Sequence, residues 1–203
     1  MVNTLLELGH EVLAIDPDKD LVQSLSDDLP DAHLVAGDAT DIDVLRDLNV
    51  GQFDGAAVTV GENIEASILA TVNLKELGVP MVMTRAVSTL HIRVLERIGT
   101  DRILEPEREM GEQMARIIAS PAIRDYVELG EDEALIEAEV PDKWVGKSLA
   151  DLELSRKSGL AVVTLKPKDG AGMIPNGDTI LRKGDVMVIA GTKKNLDRMD
   201  LFR

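Results

Sequence analysis

The sequence predicts a doubly wound α/β domain with a parallel sheet, followed by a smaller α+β domain, and three observations carry that reading. From Glu11 to about Leu104, short runs that are apolar along their whole length alternate with amphipathic stretches, the pattern of parallel strands covered on both faces by helices. Ser120-Pro121 then interrupts the pattern, because the residue before a proline is biased away from the helix. Beyond it, strand-like segments are separated by clusters of Gly, Pro, Asn and Asp, as in an antiparallel domain.

Leu5, Leu6 and Leu8 followed by Gly9 read as the last turns of a helix with a glycine just past its end. The expected strands are Val12-Leu13-Ala14-Ile15, His33-Leu34-Val35, Ala56-Ala57-Val58-Thr59-Val60, Met81-Val82-Met83 and Arg102-Ile103-Leu104. Between them, Ile64, Ile68, Leu69 and Val72 are expected to form the apolar face of one helix, and Leu90, Val94 and Ile98 that of another. A longer amphipathic helix is expected through Met110, Met114, Ile117 and Ile118. In the second domain, strands are expected at residues 134–140, 161–165 and 186–190, with a terminal helix over 195–202. The domains are accordingly placed at residues 1–119 and 122–203.

Composition narrows the function classes. The chain is 44% hydrophobic and 29% charged, ordinary for a folded globular protein. A net charge of −15 repels a phosphate backbone, and aromatics at 2% leave almost no platform for stacking bases, so nucleic acid is excluded as a partner. With no cysteine there is neither a thiolate nucleophile nor a thiolate-bound zinc, and the three histidines form no spaced ligand set. No run reaches the roughly 18–20 apolar residues of a membrane-spanning helix, and the N-terminus lacks the regions of a signal peptide, so a cytosolic location is expected. There is no Gly-x-Ser-x-Gly elbow, no His-Glu-x-x-His pair and no carboxylate pair spaced for acid–base work, which favours binding over catalysis.

The candidate binding residues follow the expected strands. Asp16, with Pro17 and Asp18 after it, ends the first strand, where a carboxylate can accept hydrogen bonds from both ribose hydroxyls of an adenosine. The alternative is a solvated turn aspartate before the proline. Gly37-Asp38-Ala39-Thr40 follows the next strand, and a small turn there lets an adenine ring lie against backbone, with Asp38 and Ala39 in reach. Asp38 or Thr40 as a plain helix cap is the alternative. Val60, Gly61 and Glu62 form a strand-to-helix turn that aims backbone N–H groups at the crest of the sheet, although a glycine at such a turn is common in any α/β protein. Arg85 and Ala86 end a further strand, with Arg85 placed to reach phosphate oxygens or simply to sit on the surface. His91 lies on the following helix and Glu107 just after Pro106; a carboxylate near phosphates requires a cation between them, and otherwise complements a helix N-terminus.

Taken together, Gly9-His10-Glu11-Val12-Leu13-Ala14-Ile15-Asp16, Gly37-Asp38-Ala39-Thr40, Glu62-Asn63-Ile64-Glu65-Ala66-Ser67 and Glu105-Pro106-Glu107-Arg108-Glu109-Met110-Gly111 resemble the RCK family, regulators of potassium conductance, and within it the Ktr/Trk regulatory subunits. Residues 148–165 and 178–191 resemble the C-terminal ligand-binding domain of those proteins, so the likeness covers essentially the whole chain. It implies a Rossmann-type TrkA-N domain that binds ATP, ADP or NAD(H), and a TrkA-C domain behind it. It also implies a homodimer formed through the first domain and its following helix, assembled into an octameric ring docked on the inner face of a potassium-transporting membrane protein. By the same resemblance Asp16 matches the ribose-binding acid, Asp38 and Ala39 the adenosine contacts, and Gly61 and Glu62 the turn beside the nucleotide. Arg85 and His91 match positions near the phosphates, and Glu107 an acid that in some members helps hold a cation such as Mg, Ca or Na.

Two departures stand out. The family's first strand and Gly-x-Gly-x-x-Gly loop have no counterpart in the sequence, so a native start upstream of Met1 is expected. Some relatives bind cyclic di-AMP in the C-terminal domain. Here Leu154-Ser155-Arg156-Lys157-Ser158-Gly159 carries its arginine one position off the expected pattern and lacks the aromatic before the glycine, which counts against that ligand. The rival readings are an NAD-dependent oxidoreductase, for which Asp16 is suited but no catalytic acid–base residue is evident, and a cyclic-dinucleotide sensor without a channel partner.

Overall fold

Helix α1 (Val2–Glu7) ends as its leucines and glycine predict: Gly9 takes a left-handed φ of +85°, and its N–H reaches Leu6 O at 2.9 Å. The computed structural model describes residues 1–130 and 132–199. The chain divides into two compact units, Met1–Glu107 and Arg108–Arg203.

In the first unit, strand β1 (Leu13–Asp16) leads into helix α2 (Lys19–Leu25), whose N-cap is Asp18. Strand β2 (His33–Ala36) runs parallel to β1, with Asp16 opposite Ala36. Helix α3 (Ile42–Asp47) follows, capped by Asp41, so that neither Asp38 nor Thr40 serves as its cap. Strand β3 (Ala56–Val58) stops short of the expected Val60 and turns into helix α4 (Ile64–Glu76), capped by Asn63. Strand β4 (Val82–Arg85), helix α5 (Thr89–Ile98) and strand β5 (Arg102–Leu104) complete the alternation. The five strands form two parallel ladders, β1-β2 and β3-β4-β5. Within each ladder the strands follow one another in chain order, and every pairing is parallel. Both ladders share one core: Leu13 and Ile15 of β1 pack against a cluster containing Val58, Leu74 and Val82.

Two helix faces differ from expectation. On α4 the buried residues are Ser67, Ala70, Thr71 and Leu74, while Ile64 and Leu69 are exposed. Small side chains let this helix lie close on its strands, and Thr71 adds a 2.9 Å hydroxyl contact to Thr84 of β4. On α5, His91 and Leu95 are buried and Leu90 is exposed, so the inward face is rotated by one residue from the expected Leu90, Val94 and Ile98.

Helix α6 (Pro106–Ala119) begins at the end of the first unit and stops before Ser120-Pro121. In the second unit, strand β6 (Ile123–Glu128) pairs with β7 (Glu133–Glu139), short helices α7 (Leu149–Leu152) and α8 (Leu154–Ser158) precede β8 (Ala161–Lys166), and β9 (Val186–Thr192) leads into α9 (Lys193–Asp197). The sheet is antiparallel throughout, in the order β6-β7-β9-β8. Its core holds Ile136, Trp144, Leu165, Leu181 and Ile189. Of the terminal helix expected over 195–202, only residues 195–197 are helical, within Lys193–Asp197; residues 198 and 199 are not, and 200–202 lie outside the described ones.

Candidate functional site

Parallel strands deliver their C-terminal ends to one edge of a sheet, and most of the candidate residues sit at such ends. In the first ladder, Asp16 closes β1 and residues 37–40 follow β2. One Asp16 carboxylate oxygen accepts the Asp18 N–H at 2.9 Å, which tightens the turn through Pro17. The Asp18 carboxylate is itself occupied, accepting the amides of Asp20 and Leu21 at 2.9 and 3.1 Å as the α2 cap. Asp38 accepts the Thr40 hydroxyl at 2.7 Å and the Thr40 amide at 2.9 Å. These two hydrogen bonds, the hydroxyl first, hold the Asp38 carboxyl below the usual carboxylate range.

A residue that sequence reasoning missed fixes the 37–40 turn. The amide nitrogen of Asn73, on α4, donates to the carbonyl oxygens of Ala39 and Thr40 at 3.3 and 2.9 Å. It thereby ties the turn after β2 to the helix that follows β3. Ala39 and Val60 also pack on the same core cluster as Ile15, so the ends of β1, β2 and β3 meet over shared apolar contacts. The available signal was an asparagine inside a helix, where that residue is a poor former without a partner.

In the second ladder, Gly61 lies under the Arg85 side chain: a Cβ built on Gly61 would stand 3.5 Å from Arg85 Nη1. Glu62 is exposed, and Asn63 caps α4 by accepting the Ala66 amide at 3.0 Å. Ala86 is buried directly after Arg85. Arg85 Nη2 is ion-paired with the Glu107 carboxylate, and Arg85 Nε is buried without a hydrogen-bond partner. Thus Gly61, Arg85 and Glu107 form one group, while Asp16, Asp38 and Ala39 form another, tethered through Asn73.

His91 stands apart. Its side chain is 1% exposed with neither ring nitrogen hydrogen-bonded, and burial lowers its pKa. Glu107 is paired with Arg85, and among the described residues no three His, Cys, Asp or Glu side chains gather around a common point.

These features define a Rossmann-like unit of parallel strands alternating with helices, joined to a small antiparallel unit. The TrkA-N domain family matches residues 1–106 and the TrkA-C domain family residues 135–202. Ktr system potassium uptake protein C of Bacillus subtilis is 36% identical over 97% of this chain and 88% of its own length, and Ktr system potassium uptake protein A of the same organism is 33% identical over 97% and 87%. The chain belongs to this family of Ktr and Trk potassium uptake proteins, and is homologous to their regulatory subunits. Among solved structures, the GsuK channel bound to NAD superposes with a TM-score of 0.68 at 18% identity, covering 96% of this chain and 35% of that one. The GsuK channel itself gives 0.70 at 17% identity, covering 98% of this chain and 36% of that one. These two likenesses establish the fold.

Proposed function

We propose that this chain is a cytosolic, nucleotide-binding regulatory subunit of a membrane potassium transport system and performs no catalysis. The observation that carries the reading is its 36% identity, along nearly its whole length, to a protein named for potassium uptake. Among the described residues no helix is long and apolar enough to cross a membrane, so the subunit acts on its transporter by docking. The occupant of the first unit is ATP, ADP or NAD(H). Asp16 binds the ribose hydroxyls, the 37–40 turn holds the adenine against backbone, and Gly61, Glu62 and Arg85 lie beside the phosphates. The support is the arrangement of these groups at strand ends over one shared core, together with the GsuK channel structures bound to NAD and to ADP.

Regulation then follows from differential affinity. A nucleotide that binds one arrangement of the oligomer more tightly than another shifts the population, and the docked transporter with it. The oligomer is a homodimer assembled into a ring of eight. Potassium flux measured in vesicles carrying the transporter and this subunit should respond to ATP, ADP or NADH. Flux indifferent to all three sinks the proposal. Asp16→Ala should weaken adenosine binding about 10-fold, the loss of one charge-assisted hydrogen-bonding group.

A further inference from the structure

Resting on the reading of this chain as the peripheral subunit of a membrane transport system, we propose that one end of the second unit is a contact surface for anionic lipid headgroups. The negative charge is unevenly placed along the chain: residues 1–107 hold 20 acidic and 7 basic residues, and residues 108–203 hold 17 and 15. Within the second unit, basic side chains gather where β7 and β8 end and β9 begins. Asp185, which is buried, builds this end by accepting the backbone N–H of Arg182 at 3.0 Å and of Lys168 at 3.2 Å. Its carbonyl oxygen accepts the Val140 N–H at 2.9 Å, which fixes the start of the segment carrying Lys143 and Lys147. The other end of that segment is held by Leu181, whose N–H donates to Lys147 O at 3.0 Å. Lys166 lies on β8 opposite Val186, the residue after Asp185. Lys143, Lys147, Lys166, Lys168, Arg182 and Lys183 are thus drawn around one turn, and all six are exposed. The acids beside them are Asp142, ion-paired with Lys183 at 3.1 Å, Asp169, the enclosed Asp185 and, near Lys147, the α7 capping-box residue Asp151. The balance at this end stays positive in a chain of net charge −15.

The fold makes little use of these charges. Asp185 holds Lys168 and Arg182 through their main chains, and the side chains of Lys166, Lys168 and Arg182 make no ion pair with a described residue. Long, exposed side chains ending in hydrated charge match a diffuse layer of headgroups better than a single bound anion, which needs converging donors. A cluster of roughly four to eight Lys and Arg side chains is drawn to a negative leaflet, and at physiological salt charges more than about 8 Å away are largely screened. The strongly acidic first unit is repelled by the same surface, so the contact selects this end of the second unit. An acidic protein face would attract the same cations; the lipid is favoured because the subunit works beside a membrane.

The test is sedimentation of the full chain with vesicles of phosphatidylcholine alone and of phosphatidylcholine mixed with phosphatidylglycerol, at low salt. The wild type should bind the mixed vesicles, ignore the neutral ones, and be released at about 0.5 M salt, where the screening length falls below about 5 Å. Lys168→Gln with Arg182→Gln should bind on the order of 20-fold more weakly, roughly 5-fold for each cation removed. Lys193→Gln with Lys194→Gln removes the same charge beyond the other end of β9 and should change binding less than about 2-fold. All four positions have exposed or partly exposed side chains, and unchanged thermal unfolding verifies that both variants fold. Equal binding to the two kinds of vesicle, binding to neither, or equal loss in the two double variants overturns the proposal. So does binding to soluble polyglutamate, sensitive to Lys168 and Arg182, in a protein that ignores the mixed vesicles, since that outcome marks an acidic protein face instead. The vesicles carry no transporter, so these results stand apart from the potassium flux measurement, which decides the subunit reading.

Discussion

Asn73 and Thr40 are joined by a 2.9 Å hydrogen bond between a helix side chain and a turn carbonyl, and this contact ties the first ladder to the second. The same amide reaches Ala39 O at 3.3 Å, so one side chain satisfies two acceptors of the 37–40 turn. Asn73→Ala leaves both carbonyls short of a partner in a half-buried place and should cost about 1–2 kcal/mol of stability. It should also weaken adenosine binding while sparing tripolyphosphate, because the turn belongs to the adenosine half of the proposed site. Urea denaturation and parallel titrations measure the two effects; a variant that loses stability but keeps its full adenosine affinity would separate the turn from the ligand.

The split between the ladders gives a second prediction. His33 N–H donates to Val12 O and Gly37 N–H to Asp16 O, so residues 12, 14 and 16 face β2, and alternation turns the amides of Leu13 and Ile15 the other way. Ala56 N–H donates to Met81 O, which by the same alternation leaves the Ala57 amide facing away from β4. No described strand pairs with β1 or β3 on those sides. Hydrogen exchange should therefore be on the order of 100-fold faster at Leu13, Ile15 and Ala57 than at Ala14 and Val58. Uniform protection across both edges would mean the two ladders close on each other in solution.

How far the sequence revealed this fold is clearest at the strands. Each expected apolar run of the first unit became a strand, and Arg102–Leu104 did so with the expected bounds, because a short apolar run between turn signals marks a strand in composition alone. The helix faces were harder to read. Hydropathy favours Ile64 and Leu69, but what touches the sheet through α4 is Ser67, Ala70 and Thr71, chosen by size and by the hydroxyl contact to Thr84. Strand β6 escaped notice because a register shift between Ile123 and Asp125 breaks its alternation. At the candidate site, the positions of Asp16, Asp38 and Gly61 were legible as turns after apolar runs. The Asn73 tether and the Arg85–Glu107 pair were not, since each joins residues far apart in the chain.

Two glycines separate fold from site. Gly51 has its would-be Cβ 2.5 Å from the carbonyl oxygen of Leu77, a backbone atom that cannot yield, so Gly51→Ala should destabilise by about 1–3 kcal/mol through overpacking. Gly61 has no such neighbour. Its Cβ would meet only Arg85 Nη1, at an ordinary contact distance, and Gly61 lacks a left-handed φ. Gly61→Ala should fold with unchanged stability, and any loss of phosphate binding it shows belongs to the ligand's approach. Thermal unfolding of both variants, with ATP titration of the second, provides the comparison, and a destabilised Gly61→Ala would contradict it.

His91 offers the sharpest dependence on pH. The ring is buried on α5 with neither nitrogen hydrogen-bonded, and desolvation alone lowers its pKa. The folded state thus prefers the neutral form, while the unfolded chain takes up a proton near the ordinary value of about 6.5. The stability held by the neutral ring is fully present above that value and is lost as the pH falls through the lower folded-state pKa. His91→Leu removes both the titration and the two orphaned nitrogens at similar volume, so it should match or exceed the wild type in stability at neutral pH and exceed it further as the solution is acidified below about pH 6. Denaturant unfolding at several pH values compares the slopes. If the two proteins lose stability in parallel between pH 7 and pH 5, the ring is not titrating in the folded state's disfavour, and the histidine has acquired a partner or solvent that the packing around α5 does not show.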